Sequence, residues 1–575
     1  MPLQEWIHHW EEGAGARVLK LTAAILGFVA VAGLYQLLAY QSFASEEAME
    51  TAQLARNVSQ GNGFVTHTVR PLAIYLLNGK TQKIPDITTP PIYPILLAGL
   101  MKALPMDFAA TQYWSYGPER WIALFNQGLF FVAIVLLFRI ARRLFDSRVA
   151  WLSAILFGCT NLYWRFTVSG LSTLWVVVVF LAMVMCLVRV AERIENPRIG
   201  WSALAGALAG LGGMTRYSFA WMIVPVLFFL AFGGRGSRGK HCAAAGLCFL
   251  IVIGPWVARN IVLTNTLFGT ASYAIVQGTS PLEGDSLERS LNPKGALGRV
   301  EPLDVMDKFL ANGREIWRND LPRVGGNWIA GFFLVGLLMP FQGAARGRIR
   351  GFLVGSIVLL FIVQALGQTH LTEDLPEINS ENLLVLLAPL TFVYGVALFY
   401  TFLDQLNMIT AELRGAIVGV FLVLMSGPLI MSLLLGTTPA YYTSYSPMHI
   451  QKVARLMRPE ELIMSDIPAG VAWYGDRDCS WLSSDDDREF FKINKLRTIK
   501  ALYLTQRTSD ERFLSRMVAD SNSWGHFFFQ CEAHLECEGH GEVPSGFPLT
   551  KAPTGFLPDQ LLLSDQPRWR LPVKK

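Results

Sequence analysis

Hydrophobic residues fall in runs of about twenty from Arg17 to about Leu435, separated by short polar stretches, and runs of that length cross a bilayer as helices. Crossings are expected near 17–40, 122–140, 150–168, 172–190, 201–214, 217–234, 241–263, 326–343, 350–368, 383–402 and 413–436, about eleven by the usual length criterion of ~20 residues. The apolar segment Pro90–Leu104 is short for a crossing and opens on Pro-Pro, so it reads as a helix lying in the interface or dipping into it. Between this segment and the first run, Ala52, Leu54, Ala55 and Val58 predict a helix over Ala48–Val58, lying along the membrane on its apolar face. After the last run the pattern changes. MHIQKVARLMRPEELIMSDIPAGVAWYGDRDCSWLS predicts helix, strand, helix and short strand, and IKALYLTQ a further buried strand. The expected fold is an all-α polytopic membrane domain over residues 1–436, followed by a small α/β soluble domain over residues 437–575.

Composition agrees with this division. Of the 575 residues 52% are hydrophobic and 16% charged, against about 25% charged in soluble chains, and the mean hydropathy is +0.36. The net charge of +5 is spread over loops rather than pooled, which excludes a nucleic-acid surface. The clusters Arg139/Arg142/Arg143/Arg148, Arg189/Arg193/Arg198, Arg235/Arg238/Lys240 and Arg346/Arg348/Arg350 are expected to face the cytoplasm. That places the N-terminus inside and the C-terminal domain outside. It also makes Pro90–Leu104 a non-crossing segment, since another crossing would reverse the Arg139–Arg148 cluster. The first run lacks a small-residue cleavage site and reads as a retained helix. Of seven cysteines, Cys531 and Cys537 have the spacing for a disulfide in an outer domain, while the nearby His534 and His540 match no zinc pattern well.

The outer face then collects the loop 41–121, the turn Ser169–Ser172, Thr215-Arg216, Arg259-Asn260, the loop 264–325 and the stretch His370–Asn382. Glu46 and Glu47 follow directly on the first run. A carboxylate there can take a proton from an acceptor hydroxyl or amine; equally, an acid pair can be a solvated helix start favoured by the helix dipole. Arg216 and Arg259 sit at the outer membrane face against the positive-inside trend, and two guanidiniums can bind phosphate oxygens bidentately. Their alternative is snorkelling to lipid headgroups. His67, Arg70, Lys80 and Lys83 are further candidates for a substrate phosphate. Glu373, Asp374, Glu377 and Glu381 could hold an acceptor or a divalent ion, or form a solvated acidic loop. No DxD pair follows the first run, so a metal-bridged donor is not indicated, and no cofactor is expected. There is no phosphate-binding glycine loop, nucleophile elbow or HExxH.

The order of span, acid and EAMETAQLARNVSQGNGFV, then TPPIYPILLAGLMKAL, resembles the GT-C superfamily of membrane glycosyltransferases. So do ALFNQGLFFVAIVLLFRIARRLFDSRVAWLSAILFG, GALAGLGGMTRYSFAWMIVPVLFF and GPWVARNIVLTNTLFG. The resemblance is strongest to bacterial relatives of protein O-mannosyltransferases and of the lipid A aminoarabinose transferase, over most of residues 17–270. It implies a bacterial inner-membrane enzyme taking sugar from a polyprenyl-phosphate donor, with inversion, to an acceptor that is a glycan, lipid or protein at the periplasmic face. The family's first-loop acid, its catalytic base, falls on Glu47 with Glu46 as the alternative, and donor phosphate binding falls on Arg216, Arg259 or the loop bases His67 and Arg70. Glu373, Asp374 and Glu381 are carried as acceptor-binding residues. Four departures stand out: Glu replaces the usual Asp, the turn Ser169-Gly170-Leu171-Ser172 lacks an acid, Glu381-Asn382 replaces an arginine-aromatic pair, and Thr89 replaces a lysine before proline. The rival expectation is a lipid or glycan transporter without transferase activity, which would place ionisable groups in mid-membrane and show repeated halves.

Overall fold

A computed structural model describes residues 14–40, 42–113, 115–193, 198–232, 238–324, 330–369, 380–406, 410–435, 446–483, 488–509, 524–528, 531, 543, 546–553 and 560–569. Helices dominate. The elements that position the candidate site are α1 (Ala14–Leu38), α2 (Glu46–Ser59), α3 (Ile92–Ala103), α4 (Gly117–Leu144), α5 (Thr173–Glu192), α6 (Ile199–Gly213), α7 (Arg238–Thr264), α8 (Ala344–Gly367), α9 (Ala411–Leu435) and α10 (Pro468–Gly475).

Among the described residues six helices are long and apolar enough to cross a membrane: α1, α4, α5, α7, α8 and α9. They differ in place. The apolar stretch of α5 is 72% buried and that of α1 only 11%, so α5 is the central post and α1 a peripheral one. Val18, Leu19 and Leu26 of α1 stand more than half exposed, as a lipid-facing helix requires. The remaining expected crossings are shorter or broken. The run 150–168 divides into Ser147–Gly158 and Asn161–Val168, and 383–402 opens with a short turn, Leu383–Leu386, before Ala388–Gln405. The segment after Pro90 forms the twelve-residue α3. In the loop 264–325, the helix Pro302–Glu315 turns Leu303, Met306 and Leu310 outward at spacings of three and four residues, an apolar stripe suited to the membrane interface.

Helices α6 and α7 approach through small residues. Ala205 and Ala209 on one and Ala245 on the other are fully buried, and a Cβ added at Gly206 would lie 2.0 Å from the Ala245 carbonyl oxygen. Close backbone contact of this kind is how helices pack where hydrophobic association gives no drive. Gly206→Val should therefore cost about 3 kcal/mol, read as a lower thermal unfolding midpoint of the detergent-solubilised protein.

A five-stranded sheet covers one side of the helices: β1 (Thr68–Val69), β2 (Leu462–Ser465), β3 (Cys479–Trp481), β4 (Ile499–Leu504) and β5 (Leu561–Ser564), in the order β1-β3-β2-β4-β5. The first four run parallel, with Thr68 opposite Cys479 and Ile463 opposite Ala501; β5 is antiparallel to β4. The sheet thus takes its edge strand from the loop that follows α1, some four hundred residues before the next strand of the same sheet. Its parallel strands deliver Arg70, Asp466, Leu482 and Thr505 to one carboxyl edge, which lies over α2.

That cover alters α2. The expected amphipathic helix along the membrane is instead buried on nearly every side, Glu50, Thr51, Gln53, Arg56 and Asn57 included, because α3 and α10 pack against it. Arg56 closes the C-terminal end of α10, donating to the Ala472 and Trp473 carbonyls at 2.9 Å each and pairing with Asp476 at 2.6 Å.

Candidate functional site

The chain enters α2 through a fixed loop. Glu119, fully buried in the first turn of α4, accepts from the Phe43 amide at 3.0 Å, the Tyr40 hydroxyl at 3.4 Å and the Trp473 indole at 2.7 Å. The Phe43 ring fills the space a side chain at residue 170 would need: a Cβ on Gly170, whose φ is +77°, would lie 2.4 Å from it. Span, loop and sheet are thereby tied together just before the acid pair. Glu46 and Glu47 then occupy the first turn of α2, where the helix dipole favours a carboxylate.

The two acids face different partners. Glu46 and Glu50 lie four residues apart on one stripe of the helix. Both look to the sheet: Glu46 pairs with Arg507, which follows β4, and Glu50 with Arg70, which follows β1, at 2.7 Å. Glu47 is turned about 100° away. Its Oε1 lies 3.3 Å from Arg216 Nη2 and its Oε2 accepts from the Ser380 hydroxyl. The Glu47 side chain is 36% exposed and Arg216 12%, so this acid opens to solvent while held in place.

Arg216 projects from the turn between α6 and the helical segment Tyr217–Phe232. The turn is anchored twice: Trp175 of α5 donates to Thr215 Oγ1 at 3.1 Å, and the Ile92 amide at the start of α3 donates to the Met214 carbonyl at 3.2 Å. Tyr217, next in the chain, accepts from the Trp256 indole at 2.8 Å. Trp256 in turn carries the Arg259 guanidinium 4.3 Å above its ring, and Arg259 donates to Asn260 at 3.1 Å. The Tyr217–Trp256 hydrogen bond therefore links the turn that carries Arg216 to the helix that carries Arg259. Asp86 lies within the field of Arg259 and caps the Thr88 and Thr89 amides at 3.1 and 2.7 Å. Burial pushes Asp86 above its ordinary value, against the pull of those amides and of Arg70 and Arg259.

The other expected site residues go elsewhere. His67 lies at the sheet, its Nδ1 2.6 Å from Asp478, which Arg497 contacts at 2.7 Å. Burial raises Asp478, but the His67 hydrogen bond and the Arg497 charge hold it below its ordinary value. Arg70 is buried between Glu50 and Glu288, the latter at 2.6 Å, under the Trp481 ring. Although burial works against its charge, the two carboxylates raise Arg70 above its ordinary value. Lys80 and Lys83 are exposed. Glu381 accepts from the Thr369 amide and, at 2.7 Å, from the Thr369 hydroxyl, so its neighbour Ser380, not Glu381, reaches Glu47. Glu373, Asp374, Glu377, Cys537, His534 and His540 lie outside the described residues. Among the described residues no three His, Cys, Asp or Glu side chains gather as a metal site would require.

Arg70 thus holds the first loop to the sheet rather than reaching toward Glu47. Arg70→Met should leave two buried carboxylates uncompensated and cost about 3–5 kcal/mol, seen as a large drop in unfolding midpoint. Sequence reasoning missed Ser380, Tyr217 and Trp256. Ser380 sits in an acidic stretch that reads as solvated, and no periodicity connects it to Glu47. Tyr217 and Trp256 read as ordinary residues of apolar runs.

Residues 117–258 match the family described as dolichyl-phosphate-mannose-protein mannosyltransferase. No curated protein sequence matches the chain. In fold, the chain is similar to ArnT from Cupriavidus metallidurans bound to undecaprenyl phosphate, with 12% identity and a TM-score of 0.54 over 95% of this chain and 98% of that one. It is also similar to the Archaeoglobus fulgidus oligosaccharyltransferase solved with zinc and sulfate, with 13% identity and a TM-score of 0.54 over 87% of this chain and 70% of that one. A third similar structure is the oligosaccharyltransferase AglB from the same organism, in complex with an inhibitory peptide and a dolichol-phosphate. It shows 11% identity and a TM-score of 0.52 over 88% of this chain and 72% of that one.

Proposed function

The chain is a multi-pass membrane protein with the GT-C glycosyltransferase fold, and on that premise we propose that it transfers a sugar from a polyprenyl-phosphate donor to an acceptor at the outer face of the bacterial inner membrane. The N-terminus is cytoplasmic and the sheet periplasmic in this reading. The observation that carries it is the Glu47–Arg216 pair: a half-open carboxylate joined to a guanidinium, at a helix start on the face where α2, α3 and the sheet converge. ArnT and AglB, the similar folds, were solved with undecaprenyl phosphate and a dolichol-phosphate, both polyprenyl phosphates.

The pair suggests an order of events. Arg216 donates to Glu47 at a long 3.3 Å. A donor phosphate, carrying more charge and a matching fork of oxygens, draws the guanidinium to itself. Glu47 is then relieved of its counter-charge and free to accept a proton. The acceptor O–H or N–H attacks the anomeric carbon from the face opposite the phosphate, its proton passes to a Glu47 oxygen, and the bond between that carbon and the phosphate oxygen breaks. Attack from that face inverts the anomeric centre. Polyprenyl phosphate departs with its charge met by Arg216 and by Arg259, which the Tyr217–Trp256 hydrogen bond links to the same turn.

A panel of radiolabelled undecaprenyl-phosphate sugars, incubated with the purified protein and an envelope extract as acceptor source, tests this. Consumption of one donor with release of undecaprenyl phosphate is the expected result. Movement of donor across vesicles without turnover would replace the enzyme reading with a transporter.

A further inference from the structure

Resting on the reading of Glu47 as the base, we propose that Arg507 is a positioning residue: it holds Glu46 on the sheet side of α2, so that Glu47 is the one carboxylate of the pair presented to the acceptor. The sheet then takes part in catalysis without touching the reacting atoms.

The placement of Arg507 is built, not incidental. It stands in the single helical turn Gln506–Ser509 that follows β4. Asp466, buried at the end of the adjacent β2, spends one oxygen on that turn: Oδ2 accepts from the Thr505 amide and hydroxyl at 2.8 Å each, and from the Thr508 amide and hydroxyl at 3.1 and 2.8 Å. The Arg507 amide itself donates to Thr505 Oγ1 at 3.3 Å. A buried carboxylate with four donors fixes the turn on both sides of Arg507, and so fixes where its guanidinium starts. From there Arg507 reaches Glu46 across 461 residues of sequence, and the two side chains are 18% and 17% exposed.

The need for such a residue follows from the sequence of α2. Adjacent acids at a helix start repel, and an unneutralised carboxylate ~6–7 Å away at an effective dielectric of about 20–40 moves a titration by about one pH unit. Glu47 faces Arg216 from the turn after α6 and Ser380, with Tyr93 of α3 nearby. Glu46 faces Arg507, with Glu50 behind it, Arg70 and Glu288 beyond, and Cys479 of β3 within its field. Glu50 is already compensated by Arg70. Arg507 does the same for Glu46.

The test follows release of undecaprenyl phosphate from the donor that the wild type consumes, in nanodiscs between pH 5 and 9. A base must be unprotonated to act, and a second negative charge beside it holds its proton to higher pH. Arg507→Gln should therefore move the acidic limb of the rate profile up by about one pH unit, with an approximately tenfold loss on the limb and little loss at pH 9. Arg507→Lys should keep the wild-type limb, and Arg507→Gln with Glu46→Gln should restore it. Glu46→Gln alone should move the limb down, which keeps the test available should Arg507→Gln fold poorly. A limb unmoved in Arg507→Gln and Glu46→Gln, with rates lowered equally at every pH, would overturn the proposal and leave the base assignment standing. Turnover retained by Glu47→Gln would instead remove the base reading on which it rests.

Discussion

Glu47→Gln should lower sugar transfer by about 10²–10⁴, the range a positioned general base supplies, while Glu46→Gln should lower it by less than tenfold. The substitution is nearly isosteric. Its amide oxygen can still accept from Arg216 while its NH2 donates to the Ser380 hydroxyl, so the first turn of α2 keeps both neighbours and the basicity is lost. Glu46 lies one residue away, yet its carboxylate belongs to the sheet through Arg507. Turnover of both variants, with matching unfolding midpoints, separates the two acids. Equal loss in both would mean that the pair acts as one electrostatic unit rather than as a base and a bystander.

Arg216→Gln should lower the kcat/KM for the donor by about 10²–10³, the loss seen when one donor of a charge-stabilising site is removed. Arg216→Lys should recover only part of it, because an ammonium cannot present the bidentate fork that suits phosphate. The turn carrying Arg216 is anchored by Trp175 and Ile92 through Thr215 and Met214, not through the guanidinium, so neither change should unseat it. Steady-state kinetics over donor concentration is the measurement. An unchanged kcat/KM in Arg216→Gln would assign the phosphate to Arg259 alone.

Much of the scaffold was legible because its causes are local. The apolar runs mark the long helices by length, Ala48–Val58 marks α2, and the proline-led segment marks α3. The choice between Glu46 and Glu47 was open to no such reading. Neighbouring residues share a helix turn and a composition, and what separates them is the sheet lying on one side. That sheet is hard to foresee in part because its edge strand is two residues long, too short to show alternation. His67 and Arg70 read as loop bases for the same reason: without strand β1 there is no cause to pair His67 with Asp478 or to bury Arg70. Ser380 and Arg507 come to α2 across 333 and 461 residues, distances over which only the folded chain brings groups together.

The most direct test of the account measures donor affinity and donor turnover side by side, for wild type and Glu47→Gln, with the undecaprenyl-phosphate sugar that the wild type consumes. The account predicts a Kd for Glu47→Gln at or below the wild-type value, since Arg216 and Arg259 remain and the competing carboxylate is gone, and release of undecaprenyl phosphate by the wild type alone. Release by Glu47→Gln at the wild-type rate would contradict it.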